Sequence, residues 1–107
     1  MGRPPHLLVA VSGHGYGHLA QCAPVINRLW ERLPDLRLTL MSALPRTVLA
    51  RRLVRDFTHI AAETDPVLRM HSAWEVDRPA SCRAYRGFHR RRTALLEATA
   101  GQLRALA

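Results

Sequence analysis

The segment His6-Leu7-Leu8-Val9-Ala10-Val11 runs directly into Ser12-Gly13-His14-Gly15-Tyr16-Gly17-His18, and from there into apolar residues at helical spacing. A short apolar run with β-branched residues, closed by a glycine-rich turn, has the length and pattern of a buried strand. After the glycines the period changes. Leu19, Cys22, Ala23, Ile26, Leu29, Trp30 and Leu33 recur at steps of three and four, one stripe of an amphipathic helix. A strand, a tight turn and a helix in that order open a βαβ unit, which restricts the chain to a small set of folds.

The remaining segments continue the alternation. Pro34 ends the first helix, while Pro24 falls early enough to be tolerated or to bend it mildly. Leu36, Leu38 and Leu40 alternate with Arg37, Thr39 and Met41, which predicts a half-buried strand. Ser42 to Pro45 opens a short helix carrying Val48, Leu49 and Leu53, and Phe57 to Ala61 reads as a third short strand. Residues 62–76 have no clear period and read as a loop containing Pro66. Asp77-Arg78-Pro79 has the form of an N-cap followed by an early-helix proline. One long helix is expected over 78–106, packed through Tyr85, Phe88, Leu95, Leu96, Leu103 and Leu106, with Gly87 and Gly101 as weak points.

This order predicts an α/β fold: a parallel sheet of about three strands with flanking helices and right-handed crossovers. The 107 residues suit one small domain, without repeats or a low-complexity linker. In doubly wound sheets the first strand lies centrally. Here no fourth strand follows the last helix, so the first strand is left at an edge although it reads as buried on both faces. The expectation is a domain that is incomplete or that needs a partner.

Composition narrows the function classes. At 48% hydrophobic and 22% charged, the chain has material for a core and is not disordered in character. Its longest apolar run, Leu7 to Val11, is far too short to cross a bilayer, and no secretory signal pattern precedes it. A cytoplasmic location follows as the expectation. Cys22 and Cys82 form no paired motif and are expected as reduced thiols, with Cys22 on the apolar helix face. The net charge is +8, and all 16 cationic Lys or Arg positions are arginine. Surfaces that grip nucleic acid usually mix the two residues, so the arginine bias points to genome composition rather than to a nucleic-acid partner.

The chemistry, if any, centres on the turn. Gly13, Gly15 and Gly17 let the backbone bend sharply and approach a ligand, and the amides of the next helix start favour an anion or a polar oxygen. Neither standard phosphate motif fits. The dinucleotide fingerprint requires a third glycine where His18 stands, and lacks its acidic residue after the second strand; the phosphate loop requires a lysine, and the chain has none. No cofactor is therefore expected. His14 and His18 have the four-residue spacing of paired metal ligands, but no third ligand lies nearby, so no metal is expected.

The run Gly13-His14-Gly15-Tyr16-Gly17-His18-Leu19-Ala20 resembles the amino-terminal opening of two-domain GT-B glycosyltransferases, closest to bacterial proteins beginning Ser-Gly-His-Gly-x-Gly-His. Ser72-Ala73-Trp74-Glu75-Val76-Asp77 also resembles that group, less specifically. The resemblance extends from Leu7 to about Arg92, and its sharply diagnostic part is the turn. It implies a partial Rossmann-like, acceptor-side domain. His18 takes the position of the histidine that can act as general base on the acceptor hydroxyl, since an imidazole accepts a proton near neutral pH. The implied partners are a sugar acceptor and a nucleotide-sugar donor, the donor held mainly by a carboxy-terminal domain. Gly13, His14, Gly15, Tyr16 and Gly17 become the substrate-binding candidates. For each histidine the alternative is a structural helix-start role, and Tyr16 could stack on a sugar or shield the turn.

Other residues give weaker signals. Arg83, Arg86 and Arg90 share a helical face, extended by Arg91 and Arg92, and without interleaved aromatic stacking they read as a solvated face. Arg69, His71, Trp74 and Glu75 could line an acceptor pocket, or Trp74 could anchor the loop to the core. His59 reads as structural; His6 and His89 carry no signal. The expected function is a glycosyltransferase amino-terminal portion, inactive by itself. The alternatives are a non-catalytic module that pairs through its open sheet edge with a partner chain, and, behind both, a basic nucleic-acid binder.

Overall fold

The computed structural model describes residues 2–106. Seven elements follow in order: β1 (His6–Ala10), α1 (Gly17–Arg32), β2 (Arg37–Met41), α2 (Arg46–Ala50), β3 (Thr58–Ile60), α3 (Arg78–Arg90) and α4 (Arg92–Leu106). The three strands form one parallel sheet in the order β1-β2-β3, a partial Rossmann-like arrangement. Leu7 pairs with Leu38 and Val9 with Leu40, while Met41 pairs with Ile60. The ladder continues past the strand ends, where Val11 N–H donates to Met41 O at 2.9 Å and Ser42 N–H to Ile60 O at 3.0 Å.

Compactness divides the chain into two units, one ending at Asp65 and the other beginning at Pro66. The first holds the core. Leu19, Ala23, Ile26 and Trp30 of α1 bury along one stripe and share a cluster with Leu38 and Leu40 of β2 and Leu49 and Leu53 from the α2 region. Both helices therefore pack on the same sheet face, as right-handed crossovers stepping in one direction require. Trp30 is only 1% exposed, and its indole N–H donates to Leu36 O at 3.0 Å, which satisfies its polar atom and fixes the return of the chain into β2. Pro24 lies inside α1 but on its exposed side, where water can reach the carbonyl it leaves without an N–H partner.

Two strands depart from their sequence patterns in opposite senses. The alternation in β2 predicts one wet face, yet Leu38, Thr39, Leu40 and Met41 are all buried. As the central strand, β2 has neighbours on both sides, and its polar Thr39 is accommodated by a 2.7 Å hydrogen bond between Oγ1 and His6 Nε2. Conversely, β1 reads as a central strand but lies at the sheet edge, with Leu7, Leu8 and Val9 only half-buried.

Short polar contacts complete the first unit. The Asn27 side chain donates to Arg52 O at 2.9 Å and accepts from Val54 N–H at 3.1 Å, joining α1 to the segment after α2. Arg46 bonds Asp56 at 2.7 Å and Phe57 O at 2.8 Å, with its guanidinium 4.3 Å from the Phe57 ring centre. Here the charge rests on an aromatic face that is itself part of the core.

The second unit is built differently. The expected loop over 62–76 contains a hairpin, in which Met70 bridges Val76 and His71 N–H donates to Glu75 O at 2.8 Å. It is fastened within the unit by Arg69 N–H to Ser81 Oγ at 2.8 Å and Asp77 N–H to Arg69 O at 2.8 Å. Asp77 caps α3 as its sequence predicts, accepting from Ala80 N–H at 3.0 Å. The single helix expected over 78–106 is two helices, because Arg91 leaves helical geometry at φ −90° and ψ 11°. Gly87 lies one turn earlier, and neither helix buries a residue that would hold the axis straight. Among the described residues no helix is long and apolar enough to cross a membrane.

Stability should follow this division. Leu49→Ala, at a fully buried position, is expected to lower the unfolding free energy by about 2–5 kcal/mol, whereas exposed Leu96→Ala should stay within about 0.5 kcal/mol. Urea titration followed by Trp30 fluorescence measures both, and equal costs would refute a core confined to the first unit.

Candidate functional site

Parallel strands deliver their carboxyl ends to one edge of the sheet, and ligand sites of open α/β folds collect there. The segments after β1, β2 and β3 meet at this edge. Gly13 packs so closely on the next crossover that an added Cβ would lie 3.2 Å from Ala43 Cβ. Ser42 is fully buried between its neighbours: its N–H donates to Ile60 O, its hydroxyl accepts from Leu44 N–H at 3.2 Å, and its carbonyl accepts from Ala62 N–H at 3.3 Å. His59 Nε2 is also 3.0 Å from Ser42 O, which gives that histidine the structural role its strand position suggests.

Ser12 joins the first of these segments to the last. Its hydroxyl donates to Asp65 Oδ2 at 2.9 Å and accepts from His14 N–H at 3.2 Å. Thr64 Oγ1 donates to the other carboxylate oxygen at 2.9 Å, so both Asp65 oxygens are engaged, one of them by the segment that leads into the glycine turn. Sequence reading passed over Asp65 and Thr64, which lie in a stretch without periodicity. The available signal was topological: a carboxylate just past a third parallel strand arrives at the edge where the first strand ends.

The turn itself presents its side chains outward. Gly15 has φ +66°, a left-handed conformation that a side chain strains, and it is the only positive-φ residue described. His14, Tyr16 and His18 are exposed, and among the described residues neither imidazole has a hydrogen-bond partner. Tyr16 occupies the N-cap position of α1 without a side-chain capping bond, and the first turn of that helix contains no acidic residue. Its leading amides thus keep their donor capacity and the positive end of the helix dipole. Two free imidazoles, uncapped helix amides and one fixed carboxylate can bind a hydroxyl or anionic group and exchange a proton with it.

Of the sequence-assigned residues, Gly13, His14, Gly15 and Tyr16 lie on this turn, and Gly17 and His18 open α1 directly after it. No hydrogen bond joins Asp65 to either imidazole among the described residues, and no group of three metal-ligating side chains occurs there. Trp74 does not anchor its loop to a core. It is 87% exposed, next to the last position of the hairpin turn in the second unit. Arg83, Arg86 and Arg90 are exposed along α3, and His89 stacks on Tyr85 with ring centres 4.4 Å apart.

The two flanking glycines should respond oppositely to a methyl group. Gly15→Ala is expected to cost about 1–2 kcal/mol through its left-handed backbone, while Gly17→Ala, with open space around it at the helix start, should be neutral or slightly stabilising. Chemical denaturation of both variants decides the matter, and equal effects would mean the turn is not held in this conformation. No protein-family model, curated protein or solved structure matches the chain.

Proposed function

We propose that the chain is the acceptor-side domain of a glycosyltransferase, in which His18 is the base that receives the acceptor hydroxyl proton. The observation that carries this reading is the glycine turn, which leaves the His18 and His14 imidazoles exposed and unbonded at the carboxyl edge of a parallel sheet. The resemblance of Gly13 to Ala20 to the GT-B opening supplies the reaction class.

In that reaction the acceptor oxygen attacks the anomeric carbon of a nucleotide sugar held by a second domain. Its proton passes to the His18 imidazole, the glycosidic bond forms, and the bond to the nucleoside diphosphate breaks with its electron pair. Gly13 and Gly15 keep the backbone close to the ligand, and the Ser12–Asp65 bond holds the turn in place between turnovers. The amides at the start of α1 offer donors to the acceptor oxygens.

A second reading is favoured by β1, an edge strand with apolar residues on both faces: a module that adds a partner's strand at His6–Ala10. Two measurements separate the readings. In the enzyme assembled with its donor-binding domain, His18→Ala should lower kcat about 100-fold or more with the urea midpoint unchanged. Titration of the isotope-labelled 107-residue chain with a panel of nucleotide sugars and glycosides should shift the amides of Gly13 to His18. An unchanged kcat removes His18 from the mechanism, and an unresponsive turn across the whole panel overturns the transferase reading.

A further inference from the structure

Within the second unit, the segment Pro66-Val67-Leu68 and α3 enclose a groove of about 280 Å³. Cys82, Tyr85 and Arg86 line it from the helix side. The walls are almost wholly apolar, and Leu68 and Tyr85 leave more than half of their surface open. Ser81 also borders it, but its hydroxyl is committed to Arg69 N–H at 2.8 Å and Arg69 O at 3.2 Å. The one charged group in the lining is the Arg86 guanidinium, which has no hydrogen-bond or ion-pair partner among the described residues.

The charged side chains borne by α3 itself are all cationic. Helix α3 carries Arg78, Arg83, Arg86 and Arg90 and no acidic residue. Asp77, at its N-cap, accepts from Ala80 N–H. An apolar recess with a single unpaired cation at its border complements a ligand with an apolar body and one acidic group. A carboxylate suits this best, because a guanidinium can bond both of its oxygens at once. Small-molecule sites are built this way, from mostly hydrophobic walls and a few polar groups that orient the ligand. We propose that this groove binds a free single-chain amphiphilic carboxylate, with its alkyl chain along Pro66, Val67, Leu68 and Tyr85 and its carboxylate on Arg86. The site lies in the second unit and does not depend on the transferase reading.

Cys82 supplies the readout. It is exposed and lines the groove, whereas half-buried Cys22 packs against the core of the first unit and serves as an internal reference. Decanoate below its micelle-forming concentration should slow iodoacetamide alkylation of Cys82 in the full chain about fivefold when present at four times its dissociation constant, leaving Cys22 unchanged. Arg86→Gln should weaken decanoate binding about tenfold, and Leu68→Ser should weaken it through the lost apolar wall. Both positions are exposed, so circular dichroism of each variant should match the parent. Three results would overturn the proposal: no protection by decanoate, equal protection by decyltrimethylammonium, or protection by phosphatidylglycerol vesicles without protection by decanoate. The last would make the groove a membrane-docking surface.

Discussion

The parallel ladder through β2 is the constraint on which the rest of the first unit depends. With β1 on one side and β3 on the other, it brings the segments after three strands to the same edge and spaces them at hydrogen-bonding distance. Leu38 to Met41 of β2 are all buried, and a buried strand must satisfy every polar group it carries. Thr39 finds His6, and Ser42 is saturated by Ile60, Leu44, Ala62 and His59. Next in the chain, Ala43 meets the glycine turn at Gly13, whose lack of a side chain permits an approach at which an added Cβ would lie 3.2 Å from Ala43 Cβ.

On that platform, rigidity and availability are divided between residues. Ser12, Thr64 and Asp65 spend their polar atoms on one another and hold the turn. Among the described residues, the side chains of His14, Tyr16 and His18 make no hydrogen bond, and all three are exposed. A site that binds and reacts requires both: fixed backbone, so that groups are positioned before the ligand arrives, and unsatisfied side chains, so that the ligand is the best partner on offer.

The two units obey different physics. The first is organised by apolar burial, with Trp30, Leu40 and Leu49 sealed from water. The second buries no residue in either helix and is ordered by local hydrogen bonds: the Asp77 cap, the Arg69–Ser81 clip and the hairpin turn. Its apolar side chains, Trp74, Tyr85, Leu96 and Leu103 among them, remain at the surface of a unit that is also rich in arginine. Aromatic residues and arginine together are what recognition surfaces use, since they combine large contact area with charge.

Much of this was legible in the chain. The change of period at Gly13 to Gly17 marks the strand-to-helix turn, the stripe from Leu19 to Trp30 names the face that packs, and Asp77-Arg78-Pro79 announces the start of α3, because each is encoded by neighbours within one or two helical turns. Tertiary structure decided what depends on distant segments. It made β2 dry despite an alternating pattern, left Leu7, Leu8 and Val9 only half-buried in the edge strand that the element order predicts, and brought Asp65 to Ser12 across 53 residues. It also broke the last helix at Arg91, between two helices that bury no residue. Local periodicity specifies which face of a segment is apolar, whereas burial depends on how many neighbours that segment acquires, and neighbours are set by the order in which strands pair.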